Sequence, residues 1–103
     1  MAFAPASLSS RVVTIAEAVV RIPPHTSFAD AATIPVAFVT AIYALGHLAK
    51  LAPGEHVLIH TASGGVGLAA IQYAKQHGAI VTATAGSEVK QGVLAARRRR
   101  SCF

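Results

Sequence analysis

His56-Val57-Leu58-Ile59-His60-Thr61-Ala62-Ser63-Gly64-Gly65-Val66-Gly67-Leu68-Ala69-Ala70 is the stretch on which the reading of this chain turns. A short apolar, β-branched run meets a glycine-rich corner, and a helical pattern follows at once. A dinucleotide pyrophosphate requires that order: a strand to aim the turn, then a helix whose unpaired N–H groups face the anion. In a G-x-G-x-x-G frame the small residues are Ala62, Gly64 and Gly67, with alanine in the first slot. Gly64 removes the Cβ that would hold the backbone away from phosphates, and Gly67 lets the helix pack close to the strand. The N–H groups of Gly65, Val66 and Gly67 then sit at the positive end of the helix dipole. The plain alternative is a glycine-rich strand-to-helix turn with no ligand.

Outward from the corner, a helix is expected from about Val66 to His77. Ala70, Ile71 and Ala74 form its apolar stripe, Gln72, Lys75 and Gln76 turn outward, and Gly78 is its stop. Ala79-Ile80-Val81-Thr82-Ala83-Thr84-Ala85 then reads as a second strand, completing a strand–helix–strand unit. An NAD site wants an acidic residue after that strand to hold the ribose 2′-hydroxyl. Here the place is held by Ala85-Gly86-Ser87, with Lys90 following. A hydroxyl and an ammonium suit a 2′-phosphate, so NADP is favoured over NAD. Glu88 stands against this unless its side chain points away.

The chain has 103 residues, one small domain at most, whereas a full dinucleotide-binding fold needs five or six strands. Its formal charge is +5, but four of the nine basic residues are Arg97 to Arg100. Without them five basic residues face four acidic ones, and no basic face for nucleic acid is spread along the body. The arginine run is a tail feature, a solvated end in the plain reading and a nuclear-targeting or RNA contact in the other. Cys102 is the single cysteine, which excludes a disulfide scaffold or a cysteine-based zinc site and suits a reducing cytoplasm. His56 and His60 fall in a strand pattern about 13 Å apart, so they make no ligand pair. His60 reads as a structural residue near the turn.

Ala31 to Ala49 is nineteen residues without a charge, long enough to span a membrane. Thr33, Pro35, Thr40, Gly46, His47 and the abundant alanine argue instead for a helix buried in a soluble protein. It is expected to start at Pro35, a favoured first-turn residue, and to run to about Lys50. Ser27, three residues before Asp30, caps a short helical lead-in. Upstream, Arg11–Ile15 and Ala18–Ile22 are β-rich runs, the second ended by Pro23-Pro24. The N-terminus shows no basic segment before an apolar core, hence no secretory signal.

The order of these parts resembles the medium-chain dehydrogenase/reductase superfamily. The residues carrying the resemblance are the strand pair, Ile22-Pro23-Pro24, the run from Ala31 to Leu45, Leu51-Ala52-Pro53-Gly54-Glu55 and the glycine turn. Phe3-Ala4-Pro5-Ala6-Ser7 and Pro35-Val36-Ala37-Phe38 are most similar to the enoyl reductase domain of polyketide and animal-type fatty acid synthases. Quinone reductases of the zeta-crystallin type are the competing relatives. The resemblance covers about residues 2 to 95.

It implies an α/β fold, the start of a doubly wound NADP-binding domain preceded by the last strands of a GroES-like substrate domain. Residues 1–30 would belong to the substrate domain, 31–50 to a connecting helix and 51–96 to the first nucleotide-binding unit, with 97–103 an aberrant tail. The implied reaction moves a hydride from NADPH to the β-carbon of an acyl-carrier-bound 2-enoyl thioester, with a proton added at the α-carbon. The implied cofactor contacts are Thr40, near the nicotinamide, then Ala62, Gly64, Gly65, Val66 and Gly67, and the 2′-phosphate loop with Ser87 and Lys90. Thr40 could equally bond back to its own helix. No zinc is implied, and no catalytic residue carries over. The family domain is about three times longer. By itself the chain is therefore expected to be inactive, and marginal or oligomeric because its sheet edges lack partners. No nucleic-acid or membrane partner is expected.

Overall fold

The computed structural model describes residues 1–99. A short 3-10 turn (Ala16–Ala18) precedes α1 (Phe28–Ala41), which continues into a π-helical stretch, Ile42–Leu48. Next come β1 (His56–Ile59), α2 (Gly65–Gln76), β2 (Ile80–Ala83) and α3 (Glu88–Arg99). The two strands form one parallel sheet in which His56 is opposite Ile80 and Ile59 opposite Ala83. The strand–helix–strand unit expected from the sequence is thus present. Both strands are trimmed at their ends, and α2 starts one residue earlier than expected.

Local chemistry sets these boundaries. Ser27 caps α1: its hydroxyl oxygen accepts from the Asp30 N–H at 3.1 Å and its hydroxyl donates to Asp30 Oδ2 at 2.6 Å. The lead-in and the long helix are therefore one element, and Pro35 lies inside it rather than in its first turn. A strong cap upstream outweighs the one backbone bond that proline removes. The helix closes with Ala49 N–H donating to Ala44 O and Leu51 N–H to Leu45 O, and Lys50 is left-handed at φ 51°. Pro53 and Gly54 (φ 84°) turn the chain into β1, where Glu55 N–H bonds Ala52 O. Gly78, at φ 71°, ends α2 in the left-handed conformation that favours glycine, as the sequence predicts.

The core is small and made largely of alanine. Ala41, Ile59, Ala62, Ala69 and Ala70 are buried together, with Phe38, Leu45, Val57, Ile71 and Val81 packed around them. Methyl-sized side chains allow α1 to lie directly on α2. Gly46 contributes at the same seam, because a Cβ there would collide with Tyr73 Oη. Tyr73 in turn stacks on His77, with ring centres 4.0 Å apart.

Three expectations are corrected. The runs Arg11–Ile15 and Ala18–Ile22 are not a strand pair: around the 3-10 turn the backbone stays extended, and the bridge formed there joins Ala2 to Val19. A β-rich sequence becomes a ladder only where a second strand runs alongside. The long helix is not buried either. Phe28–Leu48 has 21 residues and a mean hydropathy of 1.7, enough by length and composition to cross a membrane, yet 11% of its apolar window is buried. One neighbouring helix covers a single stripe, leaving Val36, Val39 and Ile42 exposed. Finally, Arg97 to Arg99 continue the backbone of α3 rather than forming a loose tail, while Arg100 and Cys102 lie outside the described residues.

Candidate functional site: the carboxyl edge of the parallel strands

Parallel strands send both following segments out at the same edge of the sheet. After Ile59 the chain makes a tight corner through His60, Thr61, Ala62 and Ser63 and enters α2 at Gly64. After Ala83 it passes through Thr84 and Ala85 and enters α3 behind Ser87. Thr84 ties the two exits together. Its N–H donates to Ile59 O at 3.0 Å, and its carbonyl accepts from the Ala62 N–H at 3.0 Å. Its hydroxyl and His60 Nδ1 share a hydrogen bond of 2.9 Å.

The glycines do different work. A Cβ on Gly67 would sit 2.7 Å from both Ala62 Cα and Thr61 O, so glycine is what lets α2 approach the corner. Ala62 is wholly buried there. A Cβ on Gly65 would touch nothing within 4 Å, and one on Gly64 would meet Thr61 O at 3.3 Å. Neither glycine has a positive φ. Gly65 is thus required neither by the chain's own packing nor by its backbone, and bare backbone there leaves room for a group from outside.

Electrostatics favour an anion at this place. Gly64 caps α2 without a side chain, so the N–H groups of Gly65, Val66 and Gly67 have no partner in the helix. At α3, Ser87 Oγ accepts from the Lys90 N–H at 3.4 Å, and Ser87 O accepts from the Gln91 N–H at 2.9 Å. Lys90 is exposed in the first turn, as is Glu88. Two helix starts, one bare and one hydroxyl-capped, therefore follow the same edge of the sheet.

Of the residues singled out in the sequence, the fold groups Ala62, Gly64, Gly65, Val66 and Gly67 in one corner. Through the pairing of β1 with β2, Ser87 and Lys90 follow the same sheet edge as that corner. Thr40 is on a different element: it lies in α1, and its hydroxyl donates to Val36 O at 2.7 Å. That is the back-bonded alternative for this residue, and it leaves the hydroxyl oxygen able to accept. Two features escape sequence reading. Thr61 is left-handed at φ 52°, a costly conformation for a β-branched residue that nothing in its neighbours announces. The His60–Thr84 bond was in principle findable, since each residue follows the last residue of a paired strand. Two open apolar grooves of about 350 and 420 Å³ lie elsewhere, between the N-terminal segment and α1.

No family model matches the chain. Individual proteins do. The chain is 46% identical over 94 residues to a subunit of the phenolphthiocerol/phthiocerol polyketide synthase of Mycobacterium tuberculosis, covering 91% of this chain and 4% of that protein. It is 54% identical over 86 residues to a lovastatin diketide synthase of Aspergillus terreus, covering 84% and 3%. The curated relatives are thus far longer than the part this chain spans. Among solved structures, the CurK enoyl reductase superposes with a TM-score of 0.74 at 53% identity, covering 81% of this chain and 25% of that one. The nucleotide-binding subdomain of the PpsC enoyl reductase domain from Mycobacterium tuberculosis gives 0.58 at 48%, covering 60% and 35%. A quinone oxidoreductase from Thermus thermophilus, solved also with NADPH, gives 0.64 at 39%, covering 72% and 25%. By sequence and by fold, this chain belongs to the enoyl reductase family found in polyketide synthases, with quinone oxidoreductases as its wider kin.

Proposed function

We propose that the chain is the NADPH-holding part of an enoyl reductase that reduces an acyl-carrier-bound 2-enoyl thioester. The observation that carries this reading is the pair of helix starts at one sheet edge, the first bare at Gly64–Gly67 and the second bearing Ser87 and Lys90. The bare N–H groups of α2 fit a pyrophosphate, and the open space at Gly65 fits its close approach. The Ser87 hydroxyl and the Lys90 ammonium fit a 2′-phosphate. When bound, NADPH would supply the hydride for the β-carbon. This chain's residues would hold and orient the nucleotide, and no described residue is assigned to protonate the α-carbon, so the chain alone is expected to be catalytically silent.

The enoyl reductase reading is preferred to a quinone reductase one because identity is 53% with the CurK enoyl reductase and 39% with the Thermus thermophilus quinone oxidoreductase. A cytoplasmic setting fits the single cysteine. Fluorescence titration of the purified chain with NADPH and with NADH tests the proposal. Saturable binding that prefers NADPH is expected, and Lys90→Ala should weaken NADPH about three- to tenfold while leaving NADH nearly unchanged. Failure of the chain to bind either nucleotide would reduce it to a family remnant that cannot hold the cofactor alone.

A further inference from the structure

We infer that His60 and Thr84 form a positioning pair that sets the preference for NADPH over NADH, an inference that rests on the nucleotide site proposed above. Their side chains meet at 2.9 Å across the ends of β1 and β2, between the glycine corner and the segment that leads to Ser87. Neither residue would itself need to touch the nucleotide. The pair acts through the loop that follows Thr84.

Three observations support this. First, Thr84 holds the corner three times, through its N–H to Ile59 O, its carbonyl to Ala62 N–H and its hydroxyl to His60. The two backbone bonds fix the main chain of Thr84, and the hydroxyl bond fixes how the corner and the outgoing loop are turned relative to each other. Second, Ser87, the cap of α3, follows Thr84 by just three positions, so a small rotation at Thr84 moves the Ser87 hydroxyl and the first turn with Lys90. Third, His60 immediately precedes the left-handed Thr61, whose carbonyl accepts from the Gly64 N–H at 3.0 Å. A tether on His60 therefore reaches the corner where its backbone is least favourable. A threonine hydroxyl both donates and accepts, so the bond can form with either neutral tautomer of the ring and with the imidazolium.

The pyrophosphate is common to NADPH and NADH and would be held by the α2 start, which Gly67 fixes through backbone packing. The 2′-phosphate belongs to NADPH alone and would be held by the α3 start, which depends on the pair. Loosening the pair should thus cost the selectivity and spare the shared binding. Both side chains are exposed. Their bond contributes little to stability, which keeps the variants folded.

The test is a paired NADPH and NADH titration of Thr84→Val, Thr84→Ser, His60→Ala and His60→Asn in the full chain. Amide spectra of each nucleotide-free variant are recorded alongside. Thr84→Val keeps both backbone bonds and removes the hydroxyl. It and His60→Ala should lower the NADPH/NADH affinity ratio about three- to tenfold and shift the amides of residues 86–91. Thr84→Ser and His60→Asn, which retain a hydrogen-bonding atom at the right reach, should restore both the ratio and the spectrum. Equal weakening of the two nucleotides, or an unchanged ratio, overturns the proposal. If the parent chain bound neither nucleotide, the site proposal would fail by itself. The amide spectra would still judge the pair, because unshifted residues 86–91 in Thr84→Val overturn it without any ligand.

Discussion

Helices α1 and α2 begin in opposite ways. Ser27 caps the start of α1: its hydroxyl accepts from the Asp30 N–H and donates to the Asp30 carboxylate, so the chain itself takes up one of the helix's free donors. Gly64 leaves the start of α2 without a side-chain cap, and Gly67 brings it within contact of the corner. The first arrangement serves the stability of one helix. The second gives up roughly a few tenths of a kcal/mol, the cost of glycine at a cap, and leaves donors open at the sheet edge.

That contrast can be broken most severely at Gly67. Gly67→Val places a branched side chain where a Cβ would already lie 2.7 Å from backbone atoms. We expect a loss of about 3 kcal/mol in urea unfolding, together with loss of nucleotide binding. Next comes Gly64→Asp, which makes α2 begin as α1 does. The backbone at Gly64 is already extended, as a cap requires. Stability should change by less than about 1 kcal/mol, the cap's gain being set against a Cβ placed 3.3 Å from Thr61 O. NADPH and NADH should both weaken about tenfold, because the carboxylate takes the N–H groups and repels the pyrophosphate. Unaltered binding would show that the bare start has no such task.

Ser27→Ala is the matching change in α1, expected to cost about 1 kcal/mol in a thermal melt and to leave nucleotide affinity alone. The smallest effect is expected at Gly65. Its Cβ position is open, and alanine suits a helix better, so Gly65→Ala should stabilise by about 0.5 kcal/mol in the absence of nucleotide. A simultaneous fall in NADPH affinity would locate the close approach at this residue.

What the sequence reveals and what it hides divide along the range of the interactions involved. The corner from His56 to Ala70 is legible because a β-branched run, small residues and a helical stripe follow each other within a few turns. Gly78 is legible for the same reason, as a local backbone conformation with a residue to match. The segment around Val12, Val13 and Ile15 is misread because strand formation needs a partner, and these residues stay exposed without one. Pro35 carries a signal for a helix start that competes with the Ser27–Asp30 cap, and the cap prevails. At Thr40 the sequence leaves two roles open, a cofactor contact and a bond to its own helix, and the hydroxyl makes the second of these. Gly46 gives no local signal at all, because its neighbour Tyr73 comes from another helix.

The register of the sheet also bears on the order in which the molecule assembles. Every pair from His56 with Ile80 to Ile59 with Ala83 is separated by the same 24 residues (56 to 80, 59 to 83), so no rung can form early by local contact. The chain between them contains α2, and winding those 12 residues into a helix shortens the gap before the strands meet. We expect α2 to settle on the end of β1 through Ala69 and Ala70 before β2 zips on. The edge where both helix starts open would then be among the last parts of the molecule to come into being.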